Sequence, residues 1–119
     1  TGMPLLAHLP GMAGAAKKFS ECHFIAAHST WRYDDLLELP NVWLDLATSS
    51  AKAIDVKLEK FFSTVPIEKI LFSSDSQLIS PAWTLGKIAE LDLSEKELEC
   101  VFVSNAKRAF PRFPEGLGA

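Results

Sequence analysis

Apolar residues along this chain gather in four short runs, at residues 4–7, 23–27, 42–46 and 67–72. The runs are nearly continuous, with little alternation of apolar and polar positions. Strands buried on both faces read this way, and such strands are usually parallel and covered by helices. Asp45 interrupts the third run, and Glu68 and Lys69 open the fourth.

Helical patterns lie between the runs. Residues 11–19 form a short one, rich in alanine and ending in lysines. Residues 31–39 suggest a second, with Asp34 and Asp35 near its start, where carboxylates suit the helix dipole, and with Pro40 and Asn41 breaking it. Residues 50–62 give the clearest pattern. Ala51, Ile54, Leu58, Phe61 and Phe62 share one stripe there, while Lys52, Asp55, Lys57, Glu59 and Lys60 face away. After the fourth run, Ser80 caps a helix with Pro81 at its first position, and this helix runs through Trp83, Leu85 and Ile88. Ser94 and Glu97 form a capping box for a helix carrying Leu98, Val101 and Phe102. That helix continues or restarts at Asn105 and ends at Pro111. The order β-α-β-α-β-α-β-α-α predicts an α/β fold of four parallel βα units with right-handed crossovers. A doubly wound sheet and part of a (β/α) barrel both fit this order.

Composition narrows the class of protein. With 119 residues, 48% of them apolar and 23% charged, the chain makes one globular domain and not a disordered tail. A net charge of -3 and a pI near 5.5 argue against nucleic acid or an anionic membrane as the partner. No apolar run approaches the roughly 18 residues of a membrane helix. No charged stretch followed by an apolar one opens the chain, so the pattern of a signal peptide is not visible. Thr1-Gly2-Met3-Pro4 leads at once into apolar residues; either Met3 is the start or the chain is cut from something longer. Cys22 and Cys100 make no metal-type pair and no disulfide framework, and read as two buried thiols in a reducing cytoplasm.

The chemistry-bearing residues occupy equivalent places. His8 closes the first run, His28 the second, Thr48 follows the third and Asp75 the fourth. In parallel α/β folds the carboxyl ends of the strands form the active rim, so two imidazoles and a carboxylate there suggest a shared site. These are donors that a catalytic Zn²⁺ or similar ion takes, with a position left open for water. The expectation is that His8, His28 and Asp75 lie on one rim and point inward. Asp75 could instead turn outward as a helix cap near Ser80. His23 lies five residues before His28, so strand parity assigns it to the other face and to a structural role. Asp45 reads as a hydrogen-bonded structural carboxylate. Trp31 and Trp83 follow rim loops and either wall a pocket or pack ordinarily. Gly11 and Gly14 mark a turn and helix start without the lysine-serine pair of a phosphate loop, and no Gly-x-Ser-x-Gly elbow exists.

Five segments in order resemble the C-terminal half of an amidohydrolase-related (amidohydrolase-2) metal-dependent hydrolase, a (β/α)8 TIM-barrel family that includes decarboxylases. The segments are Pro4-Leu5-Leu6-Ala7-His8, Phe24-Ile25-Ala26-Ala27-His28, Asn41-Val42-Trp43-Leu44-Asp45-Leu46, Lys69-Ile70-Leu71-Phe72-Ser73-Ser74-Asp75 and Asn105-Ala106-Lys107-Arg108-Ala109-Phe110. They are similar to the family's strands five to eight and its closing helix. The resemblance implies one partial barrel domain over residues 1–119. It implies His8 as a metal ligand and Asp75 as a ligand or proton acceptor. His28 would be a second ligand or the acid/base, and the cofactor one divalent ion such as Zn²⁺. The substrate would be a small molecule with a C–N or ester bond, or a carboxylate lost without oxidation. The family's first-strand His-x-His pair has no counterpart in this sequence, Ser29-Thr30-Trp31 replaces a glycine turn, and Ser73 and Gln77 stand where glycine and proline are usual. The isolated chain is therefore expected to hold metal weakly and to need a missing N-terminal barrel half or a second copy of itself. The competing reading is a non-catalytic half-barrel that self-associates or binds a partner.

Overall fold

The computed structural model describes residues 3–8, 10–47 and 57–112. Four parallel strands lie side by side in chain order: β1 (Leu5–His8), β2 (Phe24–Ala27), β3 (Val42–Asp45) and β4 (Ile70–Leu71). Leu6 pairs with Ile25, and Ile25 with Trp43; Leu44 pairs with Ile70. Paired residues in a parallel sheet point the same way, so the sheet has two distinct faces. Phe24, Ala26, Val42, Leu44 and Ile70 join the larger core with Met12, Ala16, Leu58 and Phe61. Ile25, Trp43 and Leu71 form a smaller cluster on the other face with Ala109, against Ala106 and Phe110. Two apolar faces explain why the runs scarcely alternate.

The helices are α1 (Met12–Lys18), α2 (Leu58–Thr64), α3 (Pro81–Ala89), α4 (Glu95–Glu99) and α5 (Asn105–Ala109). Gly11 stands before α1 with φ of 84°, a left-handed conformation that glycine adopts without steric cost. Ser80 accepts from the Ala82 N–H, and the capping box of Ser94 and Glu97 is complete. A π-helical turn (Cys100–Ser104) joins α4 to α5, so the closing helix continues and does not restart.

Side-chain bonds fasten the amino ends of the strands. Asn41 is buried and its amide donates to the carbonyls of Ala16 (3.1 Å) and Cys22 (2.9 Å). The Lys69 ammonium donates to the carbonyls of Leu39 and Val42. Asn105, fully buried, donates to Ile67 and Ile70, each at 2.7 Å. The asparagine-alanine pair of the closing segment thus has a physical reason: Asn105 satisfies the carbonyls around β4, while Ala106 packs against the smaller cluster.

Two expected elements differ. Residues 31–39 form no α-helix. Two 3-10 turns (Ser29–Trp31 and Asp34–Leu36) flank an extended Arg32 and an irregular Tyr33, and Tyr33 packs edge-on against Phe61, centroids 5.2 Å apart. The helix expected over residues 50–62 is described only from Leu58, since residues 48–56 lie outside the described set. Lys57 is extended before it and the helix runs on to Thr64. Thr48, Ala51, Lys52, Ile54 and Asp55 are all outside the described residues.

The two sheet edges are unequal. β1 is exposed along its length, with Leu5 at 55% and Leu6 at 64%. β4 is buried, and the chain just beyond it is tied down because the Phe72 N–H donates to the Val101 carbonyl (3.1 Å) in the π-helical turn. The closing helix covers this side of the sheet, and nothing equivalent covers β1 among the described residues.

Candidate active site

His8 is the last residue of β1 and pairs in register with Ala27. By alternation from Leu6 it belongs to the face that carries Ile25 and Trp43. His28 follows β2 and Asp75 follows β4, and both adopt left-handed backbone, with φ of 54° and 53°. That conformation costs a non-glycine residue about 1–2 kcal/mol, so surrounding bonds must hold it. At His28 the left-handed turn also ends the strand alternation, so its side chain is no longer bound by the parity of β2.

The structure brings the three residues together. The imidazole rings of His8 and His28 stack, with centroids 5.3 Å apart and planes 17° apart. Nε2 of His28 lies 3.5 Å from Oδ2 of Asp75. The carboxylate therefore turns to the rim, and Ser80 does the capping near the start of α3. The Asp75 carbonyl accepts from the N–H groups of Leu78 and Ile79, which fixes the loop after β4. A concavity of about 530 Å³ opens along residues 72–78 with Asp75 in its wall.

Tautomer follows from partner chemistry. Nδ1 of His28 is 3.1 Å from the carbonyl of Ala47. A carbonyl only accepts, so Nδ1 carries the hydrogen and Nε2 is left to face Asp75. In that state the ring accepts or delivers a proton at Nε2, which is what a general acid/base needs.

Asp45 supports this arrangement. It is 5% exposed, and its Oδ1 accepts from the N–H groups of His28 (3.1 Å) and Ala47 (2.9 Å). Burial raises its pKa above the ordinary carboxylate value, although the two N–H bonds and the neighbouring His28 pull the other way. The expectation of a hydrogen-bonded carboxylate holds, but its partners belong to the rim. Sequence reasoning missed that link; an acidic residue closing an otherwise apolar strand was the available signal.

The opposite-face reading of His23 does not hold: it lies on the face that also carries His8, and what separates it from the site is its place along the strand. Its ring packs on Trp43 with centroids 4.9 Å apart, on the face shared by Ile25 and Leu71, and Nδ1 meets the Ala109 carbonyl at 2.9 Å. It lies at the amino end of β2, the length of the strand away from His28. Trp31 and Trp83 are 37% and 48% exposed, and the Lys87 ammonium lies over the Trp83 ring.

His8, His28 and Asp75 have the donor types of a metal site, but among the described residues no group of three or more His, Cys, Asp or Glu side chains is arranged to hold an ion. As donor types, two imidazoles and one carboxylate fit a divalent ion. Among the described residues, no helix is long and apolar enough to cross a membrane.

A parallel α/β sheet thus carries a histidine-carboxylate cluster at its carboxyl rim. The family model described as Amidohydrolase matches residues 2–112, and the chain belongs to the amidohydrolase family. Its fold is similar to that of amidohydrolase 2 from Bifidobacterium longum subsp. infantis, with a TM-score of 0.65 and 22% sequence identity. The similarity covers 91% of this chain and 49% of that one, so the chain spans about half that protein's length. No curated protein matches the sequence at a significant level.

Proposed function

We propose that this chain, over residues 1–119, supplies strands five to eight of a (β/α)8 barrel and one side of the active rim of a metal-dependent hydrolase. Its substrates are small molecules with a C–N or ester bond; a related non-oxidative decarboxylation is the alternative reaction at the same rim. The observation that carries this reading is the convergence of His8, His28 and Asp75 from three strand ends, with His28 touching both partners. Membership of the amidohydrolase family supports it.

In this reading His8 and Asp75 hold one divalent ion, taken as Zn²⁺, together with donors from the rest of the barrel. The ion supplies Lewis acidity when bound. His28 moves the proton at Nε2, with its other nitrogen engaged by Ala47. Asp75 stands 3.5 Å from that nitrogen, placed to accept from it once it carries the proton. Cytoplasmic residence belongs to the same proposal and suits the two free thiols of Cys22 and Cys100.

The second reading, a non-catalytic half-barrel that binds a partner or itself, is favoured by the exposed apolar β1. The protein expressed from its entire gene separates the two. Under the first reading it contains tightly held metal and hydrolyses a simple amide or ester. His8→Ala and Asp75→Ala then lose the metal, while His28→Ala keeps metal and loses turnover. A metal-free, inactive product with intact fold would favour the second reading.

A further inference from the structure

We infer that Asp45 is a positioning residue that sets the tautomer and orientation of His28, making Nε2 the proton-transferring nitrogen. The bonds form a closed bracket. One oxygen of Asp45 accepts the backbone N–H of His28 at 3.1 Å and that of Ala47 at 2.9 Å. The Ala47 carbonyl in turn receives Nδ1–H of His28 at 3.1 Å. The backbone of His28 and the group that engages its ring therefore hang on a single carboxylate oxygen. A further bond laces the same two strand exits, because the Ser29 hydroxyl donates to the Asp45 carbonyl at 3.0 Å.

Two features make the bracket necessary. His28 holds a left-handed backbone that only outside bonds can maintain, and its N–H has Asp45 as acceptor. A neutral imidazole free in water favours the proton on Nε2, and the Asp75 carboxylate 3.5 Å away is an acceptor on that side, less close than the Ala47 carbonyl at 3.1 Å on the other. The Ala47 carbonyl reverses that preference, and it can do so only while residues 45–47 keep their turn. Burial of the carboxylate strengthens both N–H bonds by excluding competing water.

The assignment of proton transfer rests on the proposed hydrolase function, but the bracket is tested apart from it. The full 119-residue chain, labelled with ¹⁵N and kept metal-free with chelator, reports the tautomer of each neutral histidine through long-range proton-nitrogen spectra. Wild-type His28 is expected as the Nδ1–H form. Asp45→Asn keeps an acceptor oxygen and retains that form; Asp45→Ala shifts the ring to the Nε2–H form. If Asp45→Ala does not fold, Asp45→Ser, too short to reach both N–H groups, takes its place with the same expectation. A wild-type His28 in the Nε2–H form overturns the inference without any variant, and so does an unchanged Nδ1–H form in folded Asp45→Ala or Asp45→Ser. In the active full-length protein, Asp45→Ala should lower kcat at least tenfold with KM little changed, and Asp45→Asn should restore it. The correct tautomer together with no turnover in the protein expressed from its entire gene would count against the hydrolase and leave the bracket standing.

Discussion

Nε2 of His28 stands 3.5 Å from Oδ2 of Asp75, although the two residues leave different, non-adjacent strands of the sheet. His28 is mostly buried, with its side chain 13% exposed, whereas the Asp75 side chain is 36% exposed. One partner is fixed by protein bonds and the other looks toward the open concavity after β4. This asymmetry suits a held acid/base beside a group that meets a ligand.

Replacing either member should separate activity from stability. In the protein expressed from its entire gene, His28→Gln and Asp75→Ala are each expected to lower kcat/KM by about 10²–10⁴-fold, the usual range for a lost general acid/base. With both proteins stripped of metal, Asp75→Ala should leave the melting temperature nearly unchanged, since the side chain is partly exposed. Wild-type turnover in either variant would contradict the assigned roles.

Asn105 is a test of the fold and not of the chemistry. Asn105→Ala leaves the carbonyls of Ile67 and Ile70 without their donor in a buried place. Equilibrium urea unfolding should show a loss of about 2–4 kcal/mol, from roughly 1–3 kcal/mol per buried unsatisfied group. A loss below about 0.5 kcal/mol would mean that these bonds do not anchor the closing helix.

The pH dependence of stability follows from Asp45. Its pKa is raised in the fold, chiefly by burial, above the ordinary value of 3.8. A carboxyl that binds its proton more tightly when folded favours the fold at low pH, and that contribution is lost as pH rises through the raised value. Asn at this position does not titrate. The melting temperature of Asp45→Asn should therefore gain on that of wild type as pH rises from about 3.8 toward neutrality. A difference that stays flat or runs the other way would refute the direction of the shift.

The open β1 edge predicts association. Unpaired strand edges carrying exposed leucines invite pairing with another chain, and an edge lysine opposes it. Sedimentation at micromolar concentration should show a dimer or larger species, reduced to monomer by Leu6→Lys. A stable, folded wild-type monomer would count against this.

Legibility in the sequence tracked how local the cause was. Strands β1 to β3 lie within a residue or so of the apolar runs; for β2 and β3, burial on both faces leaves that continuous signature, whereas β1 carries the run although it is exposed. The capping box at Ser94 was visible because its two bonds span three residues. The stretch over residues 31–39 was misleading, since a pattern of helical type was overruled by Tyr33 packing on Phe61 from a non-helical backbone between two 3-10 turns. The rim position of His8, His28 and Asp75 was legible from strand order. The part played by Asp45 was not, because it depends on a left-handed turn at His28 that no residue type announces.

The central claim is that His8, His28 and Asp75 form one centre. The most direct measurement is a Zn²⁺ titration of the ¹⁵N,¹³C-labelled chain, following the histidine rings and the Asp75 carboxyl together. The account predicts that signals of all three move in a single weak transition, that Asp75→Ala removes it, and that His23, bonded to Ala109 at the other end of β2, stays still. Separate transitions for the three residues, or movement of His23 alone, would contradict it.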